Sequence, residues 1–135
     1  MSKRRLVDTN LIVRHLVQDD EKQARAAARL FEACDRGDLV IVVLPVVLAE
    51  CVFVLESFYQ RARAEIASAL RVLISSPGVE ISEAAMHADA LERYSRSGVH
   101  FVDCLIAARA SREGISVATF DQDFRKFADV RVETD

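Results

Sequence analysis

Cysteine is scarce in this chain and badly spaced for binding a metal: Cys34, Cys51 and Cys104 are scattered, with no C-x-x-C pair. Each falls inside a predicted helix among apolar neighbours. Buried, reduced thiols in a cytoplasmic protein are therefore expected, and a zinc site is not. Positive charge is not in surplus either. Eighteen Lys and Arg stand against 21 Asp and Glu, a net charge of −3. Nothing here marks an overall nucleic-acid-binding surface, although a local basic rim is enough to hold RNA as a substrate. No apolar run is long enough to cross a membrane. Leu39 to Leu55 comes nearest, but Pro45 breaks it, Glu50 interrupts it, and each half alone is too short. Repeats, low-complexity tracts and linkers are absent. Lys3-Arg4-Arg5 lead into a short strand rather than a long apolar segment, so no signal peptide is expected. What remains is 51% hydrophobic and 29% charged. That is the make-up of one well-packed soluble domain over residues 1–135.

Strands and helices alternate along the chain. Arg5 to Asp8 reads as a short strand, and Thr9-Asn10 are natural caps for a helix from Leu11 to Val17. Asp19-Asp20 cap a second helix running to about Cys34, with Ala24, Ala27, Leu30, Phe31 and Cys34 on one face and Gly37 at its end. Leu39 to Leu44 is a buried strand, and Pro45 opens the following helix. An amphipathic helix over Tyr59 to Ile74 turns inward Ile66, Leu70, Leu73 and Ile74. Pro77-Gly78 then lead into a short strand, Val79 to Ile81, and Ser82 caps a helix from Glu83 to about Arg96. From His100 to Phe124 the pattern is a helix closed by Gly114, a buried strand over Ile115 to Ala118, and the start of a short helix packed by Phe124 and Phe127. Val130 to Val132 reads as an edge strand. The alternation predicts an α/β fold, a mostly parallel sheet with helices on both faces.

Four acids stand in unusual places. Asp8 and Asp121 follow the ends of predicted strands, where open α/β sheets bind ligands. Asp103 lies in the first turn of its helix, where the dipole favours a negative charge. Glu50 has Val46, Val47, Phe53 and Val54 as helical neighbours, an apolar face on which a carboxylate is costly unless it is paired, protonated or metal-bound. Asp123 is a further carboxylate beside Asp121. In a parallel sheet all four would come to one edge, and they would repel strongly without a cation to neutralise them. An all-oxygen cluster suits Mg²⁺ or Mn²⁺ rather than zinc. Such an ion can activate water and stabilise charge on a phosphate in an in-line displacement, the chemistry of a metal-dependent nuclease or phosphatase.

The segments LVDTN, LPVVLAECVFVL, FVDCLIAARA and VATFDQDF, in that order and spacing, resemble a PIN domain. Within that group they are most similar to the VapC-type toxins of bacterial toxin–antitoxin pairs. The resemblance covers essentially the whole chain. It implies a three-layer α/β/α fold, Mg²⁺- or Mn²⁺-dependent endoribonuclease activity on RNA, a homodimer, and inhibition by a small cognate antitoxin. Matched position by position, the family's catalytic and metal-binding acids fall on Asp8, Glu50, Asp103 and Asp121. Asp123, Asn10 and Thr119 match supporting polar positions.

Each acid taken singly has a plainer reading. Asp8, Asp121 and Asp123 could be turn or cap residues, Asp103 a first-turn acid, and Glu50 the partner of a buried Arg. His15 and His87 read as surface or boundary residues of amphipathic helices, and His100 as part of a cap. Arg109 and Arg112 read as surface residues rather than phosphate contacts. Two rival functions stay open at this stage: another Mg²⁺-dependent phosphate-ester hydrolase, and a non-catalytic PIN-fold binding module.

Overall fold

The computed structural model describes residues 3–133, which group into two compact units, one ending at Ala84 and one beginning at Ala85. The first unit holds a three-stranded parallel sheet of β1 (Lys3–Leu6), β2 (Leu39–Val42) and β3 (Val79–Glu80), in that spatial order. Arg5 pairs with Ile41, and Ile41 in turn with Val79. Arg4 of β1 reaches across the sheet to an ion pair with Glu80 of β3. Parallel strands need crossovers, and the helices supply them. Between β1 and β2 come α1 (Thr9–Val17) and α2 (Glu21–Asp35); between β2 and β3 come α3 (Pro45–Ser57) and α4 (Arg63–Ser75). Helix α2 packs against β2, and α4 against β3. This is the α/β architecture with a parallel sheet that the alternation predicts.

Local chemistry sets the helix ends. The Asp20 side chain accepts a hydrogen bond from the Gln23 amide at 3.0 Å, and Pro45 occupies the first turn of α3, where its missing N–H costs nothing. Some boundaries differ from the sequence reading. β1 ends at Leu6, so Asp8 caps α1 instead of closing a strand. Residues 59–62 stay outside α4. Glu83 adopts a left-handed backbone (φ 52°), which starts the next helix at Ala84. The inward face of α4 is as expected, with Ile66, Leu70, Leu73 and Ile74 all buried.

The turn into β3 leaves no room for a side chain. Gly78 has φ +73°, and a Cβ there would lie 2.8 Å from the Cys34 Cβ and 2.8 Å from the Leu39 carbonyl oxygen. Gly78→Ala is expected to cost about 2 kcal/mol through backbone strain and this clash. A thermal melt unchanged from wild type would show that the turn relaxes freely.

In the second unit α5 (Ala84–Arg96) and α6 (Phe101–Glu113) are followed by a 3₁₀ helix, η1 (Gln122–Lys126). Gly114 closes α6 at φ 68°. Ala107, Ala110, Val117 and Phe124 form a small core, with Phe127, Val130 and Val132 packed against it. The strands predicted over Ile115 to Ala118 and Val130 to Val132 reduce to an isolated parallel bridge between Val117 and Val132. Ile115 is 52% exposed, so this short apolar run is not a buried strand. His87 is another correction. It is buried, on the inward face that α5 makes with Ala90, Leu91 and Tyr94. All three cysteines are buried and free, as expected. Among the described residues no helix is long and apolar enough to cross a membrane.

Candidate active site

Asp8 enters the site as the cap of α1. Its backbone is extended, and Oδ1 accepts from the Leu11 amide at 3.0 Å, which leaves the other carboxylate oxygen for a ligand. Glu50 comes from α3. The two acids line one cavity of about 350 Å³ together with Thr9, Asn10, Val46 and Val47. Both carboxylates make themselves felt at the Cys51 thiol, which is pushed up to about 12, chiefly by burial and then by the charges of Glu50 and Asp8. That thiol stays protonated and inert.

Glu50 is not the buried acid that its neighbours suggest. Helix α3 buries Leu48, Cys51, Val52 and Leu55, and Glu50 is exposed on another face beside Val46 (69% exposed) and Phe53 (59% exposed). The carboxylate is therefore hydrated, and no buried Arg is needed to hold it.

In the second unit Asp103, Asp121 and Asp123 come within electrostatic reach of one another. Asp103 is half-buried in the first turn of α6, and its carboxyl is raised by burial first, then by the Asp121 charge; His100 opposes this, and Asp123 adds to it. Asp121 caps η1 by accepting from the Asp123 amide at 2.9 Å, while its own amide donates to Thr119 Oγ1 at 2.9 Å. Thr119 and Asp121 are thus one hydrogen-bonded turn. Asp123 pairs with Lys126 Nζ at 3.3 Å, a partner that sequence reading passed over although the (i, i+3) spacing signals it. Arg109 is tied to Glu113 at 2.5 Å on the surface, in keeping with a plain surface role.

The predicted residues therefore fall into two groups, one in each unit: Asp8, Asn10 and Glu50 line a cavity in the first, and in the second Asp103 feels the charges of Asp121 and Asp123 while Thr119 is hydrogen-bonded to the Asp121 amide. Within either unit, among the described residues, no group of three or more His, Cys, Asp or Glu side chains is set closely enough to hold a metal ion. The donors are nonetheless hard carboxylate oxygens, the chemistry that Mg²⁺ and Mn²⁺ select.

The sequence matches the PIN domain family over residues 5–130, and the chain belongs to that family. It is similar to the VapC ribonuclease of Aquifex aeolicus (strain VF5), with 25% identity over 123 residues that cover 90% of each chain. Among solved structures it is similar to VapBC2 from Rickettsia felis bound to a DNA fragment from its promoter, at 18% identity and a TM-score of 0.40, covering 97% of this chain and 98% of that one. It is also similar to Mycobacterium tuberculosis VapC20, a sarcin-ricin loop cleaving toxin, at 24% identity and a TM-score of 0.41, covering 93% and 98%.

Proposed function

We propose that this chain is a divalent-metal-dependent endoribonuclease, the toxin of a toxin–antitoxin pair, and that residues 1–135 act as one domain. The observation that carries the reading is membership of the PIN family over residues 5–130; the resemblance of the sequence segments assigns the family's acidic positions to Asp8, Glu50, Asp103 and Asp121. The curated relative from Aquifex aeolicus, itself a ribonuclease, supports it.

In this reading Asp8, Glu50, Asp103 and Asp121 are the oxygen donors to one or two Mg²⁺ or Mn²⁺ ions. When bound, the cation supplies Lewis-acid chemistry, favouring ionised water at neutral pH and offsetting charge that develops on the phosphate. The chain's own residues do the rest. The Leu11 amide fixes the direction of the Asp8 carboxylate, and the Thr119 hydroxyl fixes the backbone at Asp121. Asp123, already paired with Lys126, serves as a supporting acid, and Asn10 as a polar wall of the cavity that Asp8 and Glu50 line. A cognate antitoxin, a homodimer and a cytoplasmic setting belong to the same proposal. The large apolar side chains exposed on α3 and α4, Phe53 and Val72, support a surface for a second copy, and the three free thiols suit a reducing compartment.

The test is cleavage of a mixed RNA pool by the purified protein. Internal cuts are expected with Mg²⁺ or Mn²⁺ and none in EDTA. Cutting that persists in EDTA would rule out the metal, and hydrolysis of small phosphate esters without RNA cutting would point to a phosphatase.

A further inference from the structure

Among the described residues Phe120 is the most exposed large hydrophobic side chain, at 96%. A lone exposed hydrophobe is ordinary on a protein surface, but the setting of this one is not. It stands between Thr119 and Asp121, and the backbone is pinned just beyond it. The Asp121 amide donates to Thr119 Oγ1, and the Asp123 amide donates to Asp121 Oδ1, both at 2.9 Å. These bonds hold the backbone around and just after Phe120 in one turn. Phe120 immediately precedes Asp121, so the ring is carried by the residue next to one of the proposed metal-binding acids.

The occupant follows from charge and shape. With a net charge of −3 the chain as a whole offers phosphate little attraction beyond a cation held by the acids, so a contact that is not ionic adds to the hold on a single strand. A phenyl face supplies one, because every base has a π-face to stack on it. A protein partner would want a contiguous apolar patch, whereas Thr119, Asp121 and Gln122 beside the ring are polar. We infer that Phe120 is a substrate-positioning residue: an unpaired RNA base stacks on its ring and sets the adjoining phosphodiester beside Asp121. This rests on the ribonuclease reading above.

The sequence contains no tryptophan, so Phe120→Trp installs a single fluorescent reporter at the spot in question. Its emission is expected to be quenched saturably by a short single-stranded RNA of mixed sequence, with Ca²⁺ in place of Mg²⁺ to hold off cutting. In cleavage assays Phe120→Ala should raise KM about tenfold with kcat unchanged, and Phe120→Tyr should restore it. Because the ring is exposed, none of these variants should melt differently from wild type. If wild type cuts RNA and Phe120→Ala matches its KM, the stacking role is overturned and the ribonuclease reading stands. If the tryptophan responds to protein concentration and not to RNA, the ring belongs to an interface between copies. A wild-type protein that cuts no RNA with Mg²⁺ overturns the underlying reading and this one with it.

Discussion

Replacing Asp8 by Asn is expected to lower metal-dependent RNA cleavage about a thousandfold while leaving the fold as stable as before. The two halves of that result have separate origins. The carboxylate oxygen that accepts from the Leu11 amide is a helix cap, and Asn caps a helix about as well as Asp. Stability should therefore shift by no more than about 0.5 kcal/mol. The negative charge is what a divalent cation needs. A contribution of about 4 kcal/mol to stabilising the reaction's charge corresponds to about a thousandfold in rate. Asp8→Ala separates the roles further, since it loses the charge and the cap together and should cost about 1 kcal/mol of stability besides. Cleavage rates and melting curves measured on the same three proteins check this. An Asp8→Asn protein that cuts RNA at the wild-type rate would remove Asp8 from the site.

The largest effect on stability is expected at Arg93, a residue outside the set assigned to catalysis. Its side chain is only 13% exposed, yet it carries a full charge. It donates to both oxygens of Asp129, at 2.9 and 2.5 Å, and through Nε to Asp89 at 2.7 Å; the guanidinium also lies 5.3 Å from the centre of the Phe127 ring. Ser111 of α6 adds a hydrogen bond to Asp129 at 2.7 Å. This network ties the chain after η1 back onto α5 and α6, where among the described residues one isolated bridge stands in place of a sheet. Arg93→Ala would strip Asp89 and Asp129 of their partner and forfeit the ring contact. The expected loss is about 3 kcal/mol, at the lower end for a buried pair because Asp129 is half exposed. Urea denaturation should show a lower midpoint with little change in slope. A midpoint within error of wild type would mean the network is merely a surface arrangement.

The same network has a pH signature. The hydrogen bond from Arg93 holds the Asp129 carboxyl well below the usual range, helped by Ser111 and opposed by burial. A carboxylate whose pKa is depressed on folding adds stability that is fully present above the unfolded value, about pH 4, and is lost as the pH falls below it. Acid should therefore destabilise wild type more steeply than Asp129→Ala below about pH 4, and the two should run parallel near neutrality.

Much of this molecule was legible before any coordinate. Caps and stops are local chemistry, so Asp20, Pro45 and Gly114 marked helix ends that the structure reproduces. The inward face of α4 followed from spacing alone, and the family motif singled out the acids by their order along the chain. Other features depended on which surfaces meet. Helix α3 is apolar on nearly every side, so its pattern could not say whether Glu50 faced in or out; packing of Leu48, Cys51 and Leu55 against the core left Glu50 exposed. Ile115 to Ala118 has the composition of a strand, but a strand exists only where a partner runs beside it, and here the pairing extends to one bridge. Only the three-dimensional arrangement turned Phe120 out to solvent. Helix ends are decided by bonds a few residues apart, which sequence records directly. Burial is decided by residues far apart in the chain, which a pattern along one segment does not contain.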